Sequence, residues 1–312
     1  NTVSNTVAVR VNVSDFVNKV VAAILESRGH ALISNQPNLR SFLASGFGSG
    51  VYASAKDAGG NFKFSTGDNA RVWAFGQGQW STYEGDDAAY YNLAFGAHLI
   101  QRENFILGAL LEVDRTIATM PEGEFSGLGW LVGPYLIARA PSQPLVFSAS
   151  YLYGQTENTI TLEGLPSEPF KTTRQLFTAG LEGRIELSDR FTLTPSFDLS
   201  HLIDAQESYV NGQDDIVAAQ TVTLTEASFG LSFKTAMTDS PTPVVFTGGI
   251  DGIYTFSDSI LDTAEAMRAR VEMGLEIPLS QTSKVRLGTF YDGMGQSNYE
   301  AFGVNIAVDI RF

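Results

Sequence analysis

The apolar residues of the chain recur with two different periods, and the period changes near residue 70. Between Ser14 and Gln36, in SDFVNKVVAAILESRGHALISNQ, the positions Phe16, Val20, Ala23, Ile24, Ser27 and Ala31 fall at helical spacing. Ser14 stands where an N-cap would, and Asp15 lies near the positive end of the helix dipole. The spacing predicts a helix over 14–36. Pro37 stops or kinks it, and PNLRSFLA at 37–44 offers a second short helical turn. Gly46, Gly48 and Gly50 open a stretch rich in Gly, Ser and Asn that reads as a loop to Asn69.

From Arg71 the period is two. In YEAFGVNIAVDIRF, at the C-terminal end, Phe302, Val304, Ile306, Val308, Ile310 and Phe312 share one face, while Gly303, Asn305, Ala307, Asp309 and Arg311 share the other. MRARVEMGLEIPL repeats the rule: Met267, Ala269, Val271, Met273, Leu275, Ile277 and Leu279 stand against Arg268, Arg270, Glu272, Gly274 and Glu276. These runs exceed the roughly five or six residues of a strand in a soluble sandwich. About twelve such segments follow one another, centred near residues 76, 95, 110, 132, 150, 180, 197, 228, 250, 272, 289 and 306. An even count suits a closed antiparallel barrel with both ends on one side. Their joints alternate: QREN, APSQP, SDR, TDSPTP and SQTSK are brief, whereas those at 118–127, 156–173 and 204–220 are longer and more polar. Short turns on one side and long loops on the other are the asymmetry of an outer-membrane barrel. Trp80, Tyr83, Tyr90, Tyr91, Tyr151, Tyr153, Tyr254 and Tyr299 are candidates for its interfacial girdles.

Composition narrows the choice. Of 312 residues, 44% are hydrophobic and 17% charged, which suits a folded chain. No apolar run approaches the ~18 residues of a membrane helix. The net charge of −14 argues against a nucleic-acid partner, which requires clustered Lys and Arg. Cysteine is absent, so neither disulfides nor thiolate metal sites are expected. The first thirteen residues lack the features of a secretory signal, as a mature product or an excised fragment would. A barrel of about twelve strands has room for roughly one helix, ~10–12 Å across. The helix is therefore expected in the lumen, where Phe16, Lys19, Val20, Ile24, Glu26 and Arg28, with Asn18, His30 and Asn35, meet a wall facing inward through Arg268, Arg270, Glu272, Glu276, Arg286, Asp309 and Arg311; the alternative is a helix packed outside the barrel in the periplasm. The expected organisation is a linker or passenger end at 1–13, a lumen α-helical segment at 14–45, a connecting loop at 46–69 and an all-β transmembrane antiparallel barrel at 70–312.

Several stretches resemble the translocator, or β-barrel, domain of the type Va autotransporters: RVWAFGQGQW at 71–80, NFILGALLEVDRT at 104–116, SYLYGQT at 150–156 and FYDGMGQSNYEAFGVNIAVDIRF at 290–312. In order and spacing, with the helix before them, they cover nearly the whole chain beyond the first thirteen residues. The resemblance implies a twelve-stranded outer-membrane barrel that carries an upstream passenger to the cell surface, with the helix threading and afterwards plugging the pore. It implies outer-membrane lipids and lipopolysaccharide, the barrel-assembly machinery, periplasmic chaperones and the chain's own passenger as partners, for a monomer. The terminal strand ending on Phe312 resembles the assembly signal, with Phe302, Val304, Ile306, Val308 and Ile310, and its seam is expected against the strand near RVWAF. Some members release the passenger at paired asparagines. Here Asn12 and Asn18 stand alone, which argues against release by that route.

Other chemistry finds little support. His30, His98 and His201 lie in different predicted elements without metal-ligand spacing, and each reads as a lumen or loop residue. No Gly-x-Ser-x-Gly elbow occurs, and Asp214, Asp215 and Asp258 belong to acidic loops. Gly76 with Gly78 and Gly293 with Gly295 do not precede helices, so a phosphate loop fails on context. No catalytic, metal or cofactor site is expected. The competing readings are a porin-like channel with a helical plug and a barrel protease or lipase.

Overall fold

The computed structural model describes residues 13–37, 39–43, 51–57, 61–65, 72–83, 86–121, 123–212, 216–237, 243–258, 267–279, 283–295 and 301–310. Helix α1 spans Val13–Ser34, and a 3-10 turn spans Leu39–Phe42. The strands begin with β1 (Val51–Asp57), β2 (Asn61–Ser65), β3 (Val72–Tyr83), β4 (Asp86–Arg102), β5 (Phe105–Met120) and β6 (Gly123–Arg139). Then come β7 (Leu145–Leu162), β8 (Glu168–Gly183), the short β9 (Ile185–Ser188), β10 (Phe191–Gln206), a small hairpin of β11 (Tyr209–Val210) and β12 (Ile216–Val217), and β13 (Gln220–Ala236). The last are β14 (Val245–Asp258), β15 (Met267–Pro278), β16 (Ser283–Met294) and β17 (Ala301–Ile310).

Antiparallel pairing runs from β1 to β8, on through β10 and β13 to β17, and from β17 back to β1. The sheet is thus a closed barrel without an edge, the arrangement that satisfies every backbone group in lipid. The twelve predicted segments are β3 to β8, β10 and β13 to β17. Two elements depart from expectation. The stretch read as a loop at 46–69 contains β1 and β2, and the terminal strand pairs with β1, Val51 opposite Ile310 and Asp57 opposite Val304, rather than with the strand near RVWAF. The reason is visible in VYASAKD and NFKFS: Val51 and Tyr52 fall on opposite faces of the first, and the second alternates through Phe62 and Phe64 over five residues only, so the pattern is faint, while ladder hydrogen bonding needs no apolar side chains. The expected long loops also shrink. β5 runs to Met120 and β6 starts at Gly123, while β7 reaches Leu162, so much of 118–127 and 156–173 is strand. The asymmetry of the ends is reduced: the end with the longest connection, 207–219, and with 163–167 also has two-residue connections at 84–85 and 121–122, while the other end has 103–104 and 189–190 beside 140–144 and 237–244.

Alternation sorts the side chains. On β5, Ile106, Leu110, Glu112, Asp114 and Thr116 are buried while Phe105, Leu111 and Ile117 are exposed. Leu93, Phe95, Leu128, Trp130, Val132, Phe147, Tyr151, Tyr153, Phe229 and Ile250 continue the exposed apolar surface around the outside, a belt far larger than a water-soluble monomer displays. Of the proposed girdle residues, Tyr90 is a correction. It is 3% exposed and points inward, because consecutive residues of a strand face opposite ways and Tyr91 takes the outer side. Phe233 covers the outer face of Gly248, its register partner, so the glycine accommodates an aromatic ring on the next strand.

Helix α1 lies inside the lumen. Polar contacts from α1 and the segment after it reach β4, β5, β6, β7, β8, β10 and β13, which no helix outside the barrel could touch together. The buried face is Val17, Val21, Ala22, Ile24, Leu25, Arg28 and Leu32, whereas Phe16, Ala23 and Ser27 from the predicted stripe are exposed. Apolar residues surround this helix almost evenly, so periodicity could not fix which face packs.

Candidate functional site

Inside the barrel two apolar clusters hold the helix, and a polar layer lies between them. Toward the end with long connections, Val17, Val21, Ile24 and Leu25 pack with Phe125, Ile160, Leu162, Phe170 and Val222. Toward the short turns, Leu32, Leu39 and Leu43 join Tyr90, Ile106, Leu131, Tyr135, Leu152, Leu176 and Leu224. Arg28 enters the wall between the clusters. Its Nε and Nη2 donate to Asp114 Oδ2 at 3.0 and 2.6 Å, and its Nη1 donates to Asn158 Oδ1 at 2.7 Å. Arg174 Nη1 donates to Asp114 Oδ1 at 2.9 Å, and Arg174 Nε donates to Asp204 Oδ2 at 3.0 Å. The four charged side chains alternate in sign and none is more than 2% exposed. Such a row is tolerable in a dry interior only because each charge is paired and hydrogen-bonded.

The wall is shaped to admit the guanidinium. Gly127 and Gly129 on β6 face Arg28. A Cβ on Gly127 would strike Arg28 Nη1, and one on Gly129 would stand 2.5 Å from Asp114 Oδ1 and 3.0 Å from Arg28 Nη2. Thr156 and Thr172 close the neighbouring rung through hydroxyls 2.8 Å apart.

Weaker ties flank this layer. His30 Nδ1 lies 2.6 Å from Glu226 Oε1 on β13, and Arg268 Nη1 is 3.5 Å from the same oxygen. Gln36 Nε2 donates to Glu112 Oε2 at 3.0 Å, and Asn92 Nδ2 to the carbonyl of Asn35 at 3.3 Å. Past the helix, Arg40 grips Asp198 with both terminal nitrogens, over a space that Gly180 leaves open. Arg139 on β6 donates to the carbonyl of Leu43 at 3.3 Å.

The structure brings together only some of the residues expected from sequence. Ile24, Glu26 and Arg28 are buried in the helix–wall contact, Val20 is half-buried, and Phe16 and Lys19 are exposed. Arg268 joins the His30 contact through Glu226, while Arg270, Glu272 and Glu276 share its face of β15 further from the helix. Glu276 meets Lys234 at 2.9 Å and stands opposite Arg286 in register. Asp309 stands opposite Lys284 and Tyr52, and Phe302, Val304, Ile306, Val308 and Ile310 lie along β17. Arg311, Phe312, Asp214 and Asp215 lie outside the described residues. Sequence reasoning missed Glu112, Asp114, Asn158 and Glu226 as partners of the helix segment, and Arg174 and Asp204 as the wall residues that continue the row from Asp114. One signal was present: in NFILGALLEVDRT the parity of Ile106, Gly108 and Leu110 turns into Glu112, Asp114 and Thr116 while the other parity stays apolar from Phe105 to Val113. His98 is buried against Phe42 and Tyr135, and His201 faces outward beside Thr225, contrary to its reading as a lumen or loop residue, because it falls on the outer parity of β10. Among the described residues no three His, Asp or Glu side chains converge as a metal site would require.

This arrangement can hold a helix in a barrel by reversible, charge-paired contacts. Three solved barrels have the same fold: the translocator domain of the autotransporter NalP from Neisseria meningitidis (13% identity, TM-score 0.60, covering 95% of this chain and 98% of that one), the transport unit of AIDA-I from Escherichia coli (13%, 0.61, 95% and 98%) and the β-domain of the Bordetella autotransporter BrkA (13%, 0.55, 85% and 99%). No curated protein sequence matches the chain significantly. The Autotransporter beta-domain family matches residues 72–287, well over half of the chain. The chain belongs to the autotransporter β-domain family, and its barrel resides in the outer membrane as a transport unit.

Proposed function

We propose that this barrel secretes a passenger joined upstream of α1 to the cell surface, and that α1 afterwards plugs the pore. The observation that carries the reading is the row of Asn158, Arg28, Asp114, Arg174 and Asp204, which ties the helix to the wall at mid-height. Direction supports it as well. Val17 packs with Leu162 at the end with long connections, and Leu43 meets Arg139 at the end with short turns. With the long connections outside, the chain preceding α1 leads to the external face. Planar-bilayer recordings of the intact chain and of a form lacking residues 14–44 test the plug: the deletion should turn brief, small openings into a steady large conductance. An already open pore in the intact chain would refute plugging. An epitope fused ahead of Val13 should become accessible on intact cells; its retention in the periplasm would refute secretion.

The barrel-assembly machinery, periplasmic chaperones, lipopolysaccharide and a monomeric state belong to the same proposal. Its assembly signal is the terminal strand, Phe302 to Phe312, whose alternation supports the reading. Deleting Phe312 should reduce outer-membrane insertion.

A further inference from the structure

On the outer wall a row of charges interrupts the apolar belt. Arg115, Leu128, Glu157 and Lys171 stand in register across β5, β6, β7 and β8. Toward the short turns, the next outward rows are Val113, Trp130, Gln155 and Thr173, then Leu111, Val132, Tyr153 and Gln175. From Phe105 to Arg115 the strand climbs about 25 Å at a tilt of roughly 40°, which matches the apolar band of an outer-membrane barrel. Arg115 therefore sits where hydrocarbon gives way to headgroups, just above the indole of Trp130, and because the register row is inclined with the strand tilt, Lys171 stands about 9 Å away from it along the barrel axis.

Arg115, Ser126, Leu128, Glu157, Thr159 and Lys171 line one groove of about 560 Å³. Arg115 is exposed, and among the described residues it has no hydrogen-bond or ion-pair partner. Lys171 Nζ lies 2.7 Å from Glu157 Oε1, but both side chains are 73% exposed. A pair so open to solvent is weak and easily redirected. A lone guanidinium beside lipid is stable only at the interface or beside an anion. The two cations are three strand spacings apart, about 14 Å, too far for one phosphate to bridge.

We propose that this groove binds the headgroup of an outer-leaflet glycolipid bearing two phosphates, one on Arg115 and one on Lys171, with its acyl chains against Trp130, Val132 and Tyr153. Ser126 and Thr159 supply hydroxyls to the sugar. The proposal rests on the orientation given under Proposed function, which has its own readout: Glu163→Cys should react with an impermeant maleimide on intact cells.

The test uses the full chain in detergent, with a bisphosphorylated glucosamine-disaccharide lipid, its dephosphorylated form and inorganic phosphate as probes in native mass spectrometry. The bisphosphorylated lipid should bind best, and Arg115→Ala with Lys171→Ala should weaken it by about tenfold or more, as the loss of two charge-assisted contacts implies. Glu157→Gln, which frees Lys171, should tighten binding. Every variant should keep the wild-type shift between folded and heated forms on gels, since each substitution lies on an exposed surface. Equal binding by the double variant or by dephosphorylated lipid would overturn the proposal. Competition by inorganic phosphate as strong as by lipid would overturn it too, leaving a site for free anions.

Discussion

The two sides of the lumen obey one alternation yet have become different materials. From β4 to β13 the strands are mostly 16–18 residues long, and their inward side chains are packed dry against α1, with Asp114, Arg174 and Asp204 almost wholly buried. Across the lumen β14 and β15 have 14 and 12 residues, and Asp251, Arg268, Arg270 and Glu276 are half-buried there while Glu272 is exposed. Both walls carry acids and arginines in an inward row. The helix leans on the first, so the charges there lock onto it; on the second they pair with side chains of the barrel wall itself, as Glu276 does with Lys234. Charge placement alone thus does not make a plug contact. Exclusion of water by the helix does, and Glu226 marks the boundary between the two regimes.

The largest effect should come from removing the lock at its centre. Arg28→Met keeps much of the volume but leaves Asp114 with one cation and Asn158 without its donor. Breaking a buried pair by deleting one partner costs about 3–5 kcal/mol. The variant should spend far more time open in planar bilayers while the barrel itself stays folded. Arg28→Met combined with Asp114→Asn should recover part of the closure, because the uncompensated buried charge is then gone. A double variant as leaky as the single one would argue that the pair contributes shape rather than charge.

Glycine substitutions contrast the walls by sterics. Gly127→Ala puts a Cβ into the guanidinium of Arg28 and 2.5 Å from Asn158 Oδ1. Overpacking of this kind costs about 1–3 kcal/mol, and the heat-modification midpoint should fall. Gly249→Ala on the opposite wall meets Glu272 Cγ and Oε1 at 3.2 Å and Ser232 Cβ at 3.3 Å, contacts that a few tenths of an ångström of movement and a turn of the exposed Glu272 side chain relieve. Its midpoint should barely move. At the boundary, Glu226→Gln weakens the contacts of His30 and Arg268, and a loss of about 1–2 kcal/mol is expected, between the two extremes. Opening frequency in bilayers should rank the three variants in the same order.

The barrel was legible in sequence because lipid enforces alternation: a strand such as Met267–Pro278 cannot mix its faces and stay inserted. The helix was legible as an element and as a plug-sized object. Which of its faces would bind was not, since Phe16, Val17, Ala22 and Leu25 place apolar surface on nearly every side. Nor were its partners. Asp114 and Arg174 lie 60 residues apart and meet only because β5 and β8 project them into one crowded layer beside Gly129. Sequence reasoning chose Arg268, Arg270, Glu272 and Glu276, where alternating charge is densest, and density of charge marks the hydrated wall. The hairpin of β1 and β2 was hidden for the opposite reason: with Ala, Ser and Lys on its faces it closes the ring through backbone hydrogen bonds that leave little trace in side-chain pattern.

The smallest effect belongs to the hydrated wall. At the seam between the walls Lys234 Nζ on β13 meets Glu276 Oε1 on β15 at 2.9 Å, with the lysine side chain 54% exposed and the glutamate 15%. A pair so solvated contributes about 0–1 kcal/mol, so Lys234→Gln and Glu276→Gln should each leave the heat-modification midpoint and the closed fraction of the intact chain nearly unchanged. The same substitutions gain a readout once the helix is removed. In the form lacking residues 14–44 the pore is lined by this wall, and losing an acid at Glu276 should lower cation preference in reversal-potential measurements, while losing Lys234 should raise it. A shift in selectivity without a shift in closure would establish that this wall faces the conduction path and takes no part in holding the plug. A large change in closure would instead mean that both walls grip the helix.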